Sequence, residues 1–102
     1  MKKLFMVVRS HGELWQRSKR LEEQSGWMEH AVFMDALMAE GFVVLGGPLV
    51  GGDEALLIVR AEGRDEIERR MAADPWTPLG MLYTSRIAEW ELRLGELGVP
   101  AD

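Results

Sequence analysis

The sequence predicts a single α+β domain in which four strands and two helices follow one another in the order β-α-β-β-α-β. Three observations support it: short runs of β-branched and aromatic residues, two stretches with apolar residues at helical spacing, and turn residues between them. The chain has 102 residues, which is the size of one domain. We therefore expect one domain over residues 1–102, with a long loop at 10–26 and a C-terminal tail at 95–102.

The first half of the chain predicts a strand, a long loop and a helix. Leu4 to Val8 is rich in β-branched and aromatic residues and has apolar side chains on both faces. Ser10 to Gly26 is a polar connection containing Trp15, and loops of this length in compact domains are usually functional. From Trp27 to Glu40 apolar residues recur every three or four positions, and Gly41 stands where a left-handed C-cap is expected.

A hairpin is predicted next. Phe42 to Leu45 has the composition of a second strand, and Gly46-Gly47-Pro48 is expected to end it. Gly51-Gly52-Asp53 favours a turn, and Ala55 to Val59 then predicts a third strand.

The last part of the chain predicts a short helix and a final strand. Arg64 to Ala73 has helical spacing, and Pro75 disfavours helical geometry at the residue before it. Met81 to Leu94 alternates apolar and polar residues towards its end, as a strand does. The resulting order is the split-βαβ, ferredoxin-like arrangement, in which an antiparallel sheet carries both helices on one face.

The second face of this sheet predicts a partner. The first three strands carry apolar residues on both faces, whereas the helices can cover only one. Two such sheets packed face to face form a dimeric α+β barrel, so we expect a homodimer through the sheet faces. The alternative is that the extra apolar residues are scattered and need no partner.

Charge argues against nucleic acid as a partner. The net charge is −5, and binding phosphates requires clustered Lys and Arg. The one basic cluster, Arg17, Lys19 and Arg20, is followed at once by Glu22 and Glu23, which favours a solvated loop.

Cysteine content and hydropathy restrict the site chemistry and the location. The chain has no cysteine, which excludes disulfides, thiolate nucleophiles and Cys-based metal sites. Arg9 stops the first apolar run early, so it is too short for a signal peptide, and no stretch approaches the ~20 apolar residues of a membrane span. We expect a cytoplasmic protein that does not bind membranes.

Several motifs resemble the YCII-related family over nearly the whole chain. They are Trp27-Met28-Glu29-His30, Gly41-Phe42-Val43-Val44-Leu45-Gly46-Gly47-Pro48-Leu49, Asp74-Pro75-Trp76 and Ile87-Ala88-Glu89-Trp90. The resemblance implies a ferredoxin-like fold, a dimer and an active site with a His and an Asp, which correspond to His30 and Asp74. The loop with Trp15 is a departure from the shorter members of this family. Since such a loop shapes a pocket, the resemblance does not imply a shared substrate.

The residue pattern allows two interpretations of His30 and Asp74. His30 lies on the apolar stripe of the first helix with Met34 and Met38, so its ring is expected to point inward, as either a core residue or a catalytic one. Asp74 is either the end of a helix before proline or the carboxylate that orients His30. Without an activated Ser or Cys, such a pair suggests general acid/base chemistry on a small organic acid.

Other residues are candidates for binding a ligand. Gly47 and Pro48 belong to a Gly-Gly-Pro segment that either lets a ligand approach the backbone or simply ends the strand. Trp15, Trp27 and Trp76 are expected to line a pocket, although each has an alternative as a core or interface residue. The two histidines lack metal-ligand spacing, so neither a metal nor another cofactor is expected.

Three function classes stay open at this point. The first is an enzyme of lyase or isomerase type that uses His30 and Asp74 without a cofactor. The second is a non-catalytic ligand-binding or regulatory module with the same cleft. The third is a cofactor-free oxygenase, because antibiotic-biosynthesis monooxygenases share the dimeric barrel.

Overall fold

A computed structural model, described over residues 1–97, has the predicted order of elements. The elements are β1 (Lys3–His11), α1 (Trp27–Ala39), β2 (Val43–Pro48), β3 (Glu54–Ala61), α2 (Arg64–Ala72) and β4 (Leu82–Glu89). The α+β, ferredoxin-like class is therefore confirmed. Of the predicted tail at 95–102, residues 98–102 lie outside the described residues.

The four strands form one antiparallel sheet in the order β2-β3-β1-β4. Strand β1 lies in the middle, so every second residue on it faces the helices. Phe5 and Val7 of β1 join Leu37 of α1 and Ile67 and Met71 of α2 in the main core. Both helices thus cover the same face of the sheet.

Helix α1 is held at both ends by glycines with left-handed backbone geometry. Gly26 has φ +77° at its start, and Gly41 has φ +84° just beyond its end, as the C-cap prediction required. His30 points inward as expected, with 12% of its side chain exposed. Met38, predicted on the same inward stripe, is instead 60% exposed, because a cavity and not the core lies beneath it.

The Gly-Gly-Pro segment does not end the second strand. Gly46, Gly47 and Pro48 all belong to β2 and pair with β3 as far as Ala55. A Cβ on Gly46 would lie 2.6 Å from Leu57 Cδ2, so a larger residue here would require the Leu57 side chain to shift.

Two other boundaries differ from prediction. Strand β1 continues to His11, because its hydrogen bonds to neighbouring strands persist past the apolar run. The loop at 10–26 therefore begins later, and it contains a short 3-10 turn over Leu21–Glu23. Strand β4 ends at Glu89, so the predicted alternation through Leu94 runs beyond it, and Leu94 is 89% exposed.

The sheet face away from the helices is apolar. Met6 pairs with Ile58 and Val8 with Leu56, and strand alternation points all four side chains away from the helices. Both helices contribute to the core on the opposite face. Among residues 1–97, no helix is long and apolar enough to cross a membrane.

Candidate functional site

The structure brings His30 and Asp74 together. His30 lies in the first turns of α1, and Asp74 lies just after α2. The Nδ1 atom of His30 is 2.9 Å from Oδ2 and 3.0 Å from Oδ1 of Asp74. The carboxylate is 1% exposed, so this contact is shielded from water. The two residues that the sequence singled out therefore form a buried His–Asp pair.

Three groups contact the Asp74 carboxylate: the His30 ring, the Trp76 amide and the Arg9 guanidinium. Its Oδ1 accepts a hydrogen bond from the Trp76 amide at 2.9 Å, the local pattern of an Asp that begins a turn. Its Oδ2 faces the Arg9 guanidinium at 3.4 Å. Both interpretations of Asp74 thus hold at once, since the same carboxylate organises the backbone and contacts His30.

Asp74 stays ionised. Burial alone would raise its pKa, but the hydrogen bonds from the His30 ring and the Trp76 amide, with the charges of His30 and Arg9, lower the pKa below its usual 3.8. An ionised carboxylate only accepts hydrogen bonds, so the hydrogen must lie on Nδ1 of His30. When the ring is neutral, Nε2 is therefore left with a free lone pair.

The ring that carries this lone pair borders a cavity. Nε2 of His30 has no hydrogen-bond partner within residues 1–97. Every fully buried polar side-chain atom in these residues has a partner, so Nε2 is not fully buried. His30 lines a cavity of about 370 Å³. A volume of this order suits a small molecule.

Arg9 is a site residue that the sequence analysis treated only as the end of an apolar run. It is 3% exposed and lines the cavity. Its guanidinium donates to the hydroxyl of Thr84 at 2.8 Å and to that of Thr77 at 2.8 Å, besides facing Asp74. Burial lowers the pKa of Arg9, and the charge of Asp74 opposes this shift.

The predicted tryptophans form one wall of the cavity. Trp76 is fully buried, donates its Nε1–H to the Ser25 carbonyl at 2.6 Å and stacks on His30 at 3.9 Å between centroids. Trp15 meets the Trp76 ring edge-on at 5.3 Å, and Trp27 lies 6.0 Å from it. The long loop thus reaches the cavity through Trp15.

The opposite rim comes from the hairpin of β2 and β3. Gly47 and Pro48 both line the cavity there, together with Met34 and Met38 of α1. An added Cβ at Gly47 would meet no atom within 4 Å, so the backbone at this point is open to a ligand.

His11 is a second histidine in the cavity wall, and the sequence analysis considered it only as a metal ligand. Its ring stacks on Trp15 at 3.8 Å, and its Nδ1 lies 3.8 Å from Oδ1 of Asp53. The signal that could have found it is strand alternation, because Phe5, Val7, Arg9 and His11 are every second residue of β1.

Comparison with known proteins gives a fold relationship. No protein-family model and no curated protein matches the chain. Among solved structures it is similar to 5-chloro-2-hydroxyhydroquinone dehydrochlorinase (TftG) from Burkholderia phenoliruptrix AC1100, in complex with 2,5-dihydroxybenzoquinone. The TM-score is 0.61 at 22% sequence identity, over 90% of this chain and 95% of that chain. This likeness supports the α+β fold, while the YCII-related family stays a prediction.

Proposed function

We propose that this chain is a small-molecule enzyme in which His30 exchanges a proton with a ligand in the cavity while Asp74 orients its ring. The observation that carries the proposal is the buried contact of 2.9 Å between Nδ1 and the carboxylate, made by a ring that lines the cavity and whose Nε2 has no partner among residues 1–97. A carboxylate in this position fixes the tautomer and stabilises the imidazolium that forms when Nε2 takes a proton.

The walls of the cavity favour a planar ligand without a carboxylate. Trp15 and Trp27, which are only partly buried, offer ring surfaces on which a planar molecule can stack. Arg9 is the only Lys or Arg in the described lining, and it is already bound to two hydroxyls and to Asp74. The rim also carries Glu54. We therefore propose a neutral ring compound as the ligand, and not the small organic acid that was expected from the sequence.

The reaction class that fits one proton-transferring group is elimination or isomerisation. The similar solved structure is named a dehydrochlorinase and holds 2,5-dihydroxybenzoquinone, a planar ring with oxygen substituents. We propose chemistry of this general type for this chain, without a cofactor.

The proposal includes the family and the assembly that the sequence predicted. We propose that the chain is a YCII-related protein and a homodimer whose partners meet through the face that carries Met6 and Ile58. An apolar face of this kind is what a partner sheet would cover. The cytoplasmic location stays a prediction of the sequence.

The experiment that tests the function compares rate and stability in one variant. A screen of halogenated and hydroxylated ring compounds first identifies a turnover assay for the wild type. His30→Gln should then lose about 10²–10⁴-fold in rate, because glutamine can hydrogen-bond but cannot exchange protons near neutral pH. The matched control is Glu29→Gln, an exposed neighbour on α1, which should keep the wild-type rate.

The same variant separates the alternatives. If His30 is only a core residue, His30→Gln should cost about 1–3 kcal/mol of stability, and the rate per folded molecule should be unchanged. A protein that binds ring compounds without converting any of them would instead be the ligand-binding module. Oxygen consumption without cofactor would indicate the oxygenase.

A further inference from the structure

The two histidines of this chain occupy similar surroundings at the same cavity. His30 stacks on Trp76 with centroids 3.9 Å apart, and His11 stacks on Trp15 with centroids 3.8 Å apart. The two tryptophans meet edge to face at 5.3 Å, so they join the two stacks into one wall. Both histidines line the cavity. A ligand lying in it would therefore be able to meet two imidazoles.

Strand and loop contacts fix the position of His11. It is the last residue of β1, and its backbone N–H donates to the Asp53 carbonyl at 2.9 Å in the β2–β3 turn. Gly12, the next residue, donates to the Met81 carbonyl at 2.8 Å. A Cβ on Gly12 would lie 2.2 Å from the Gly80 carbonyl oxygen, so the backbone here is closely packed. The imidazole is thus presented from a rigid strand end.

We propose that His11 is a second catalytic residue, which gives a proton to the ligand while His30 removes one. This inference rests on the proposed function of His30 and extends it from one proton-transferring group to two. Elimination and isomerisation can proceed with one group that takes a proton, and a second group that supplies one assists the departure of a basic leaving group or protonates a second atom of the ligand. Two histidines at different places in the wall would let the two events occur at different atoms of one ligand.

An elimination would use both histidines. Nε2 of His30 takes a proton from carbon, and the electron pair of that C–H bond becomes the new double bond. The leaving group departs with its bonding pair and receives a proton from the His11 imidazolium. In an isomerisation, His11 delivers its proton to another atom of the same molecule. Afterwards His30 releases its proton to water, and His11 takes one back from water.

Burial and nearby charges lower the pKa of His11, which makes its imidazolium a stronger acid but the minor form at neutral pH. Burial lowers its pKa below the usual 6.5 and the charge of Arg17 lowers it further, while the charge of Asp53 opposes both. Its side chain is 22% exposed, so water can restore the proton after each turnover. Asp53 lies 3.8 Å away, too far for the tight contact that holds His30 to Asp74.

Chemical modification tests whether both rings face one ligand. Diethyl pyrocarbonate carbethoxylates neutral imidazoles, and the chain has two histidines, which mass spectrometry of the digested protein reports separately. The probe ligand is 4-chlorophenol, a planar hydroxylated ring that is uncharged at neutral pH. Both histidines should react in the free protein, and the probe at about ten times its Kd should slow both reactions about tenfold.

The outcomes distinguish the two proposals. Protection of His30 alone keeps the proposed function and overturns the role of His11. Protection of neither ring overturns both. In the turnover assay, His11→Gln should lose about 10²-fold or more in rate with an unchanged melting temperature, and Lys19→Gln, an exposed residue of the loop that follows β1, should keep the full rate. A His11→Gln variant with the wild-type rate contradicts the inference even if His30→Gln is inactive.

Discussion

The Trp76 indole lies face to face with the His30 imidazole, with centroids 3.9 Å apart and ring planes within 10° of parallel. Trp76 follows Asp74 by two residues, so one short segment supplies both the carboxylate at Nδ1 and the aromatic surface on the ring. The segment is itself fixed, because the Trp76 Nε1–H donates to the Ser25 carbonyl at 2.6 Å. The orientation of His30 therefore depends on where Trp76 is anchored.

Trp76→Phe tests this anchor. Phenylalanine keeps an aromatic ring beside His30 but leaves the Ser25 carbonyl without its donor, and it fills less of a fully buried site. We expect a loss of about 1–3 kcal/mol in the free energy of unfolding in urea. Trp90→Phe is the control, since Trp90 is 38% exposed and should change stability by less than about 0.5 kcal/mol. Equal losses of unfolding free energy in Trp76→Phe and Trp90→Phe would show that the hydrogen bond from Trp76 to Ser25 does not contribute to stability.

Asp74 predicts a specific pH dependence of stability. Its folded pKa is below the usual 3.8, so the unfolded chain binds the proton more readily. The stability that Asp74 contributes is therefore present above pH 3.8 and is lost as pH falls through the folded pKa. At neutral pH, Asp74→Asn should cost about 3–5 kcal/mol, because it leaves Arg9 buried without its counter-charge. Urea unfolding should show this difference shrinking on acidification, and a constant difference would contradict the ionised carboxylate.

Arg9 should contribute far more to stability than an exposed arginine does. Arg9→Met removes the buried cation beside Asp74, and we expect a loss of about 3–5 kcal/mol. Arg17→Met removes a cation that is 81% exposed and should cost at most about 1 kcal/mol. The same urea titration measures both variants. An Arg9→Met protein as stable as Arg17→Met would mean that the Arg9–Asp74 contact does not support the site.

The apolar sheet face away from the helices predicts a dimer in solution. Light scattering at micromolar concentration should give twice the mass of one chain, and Met6→Glu should reduce it to the mass of one, because the charge would be buried at the interface. Val32→Glu is the matched control, since Val32 is 61% exposed on the helix side and should leave the dimer intact. A wild-type monomer would contradict the proposed assembly.

The sequence predicted both the elements of the fold and the His30–Asp74 pair, but each prediction came from a different kind of signal. The elements follow from local periodicity, which needs no knowledge of tertiary contacts. The pair lies 44 residues apart along the chain, so no local pattern places the two side chains together, and the expectation came from the family resemblance. The inward direction of His30 did follow from its place on the helix stripe.

Arg9 and His11 were missed because apolar content was taken to mark the end of the first strand. Backbone hydrogen bonds carry β1 on to His11, so period-two alternation points Arg9 and His11 to the same face as Val7. Gly46 was misassigned for a related reason. Glycine commonly marks a turn, and only the pairing of Gly46 with Leu57 of β3 shows that this one lies inside a strand.

The tautomer of His30 tests the central claim most directly, because it requires no substrate. Long-range proton–nitrogen NMR spectra at neutral pH report which ring nitrogen carries the hydrogen, and the His30→Gln variant assigns the signals between the two histidines. The account predicts that neutral His30 carries its hydrogen on Nδ1, directed to Asp74, and has an unprotonated Nε2. A neutral His30 with its hydrogen on Nε2 and a bare Nδ1 would contradict it.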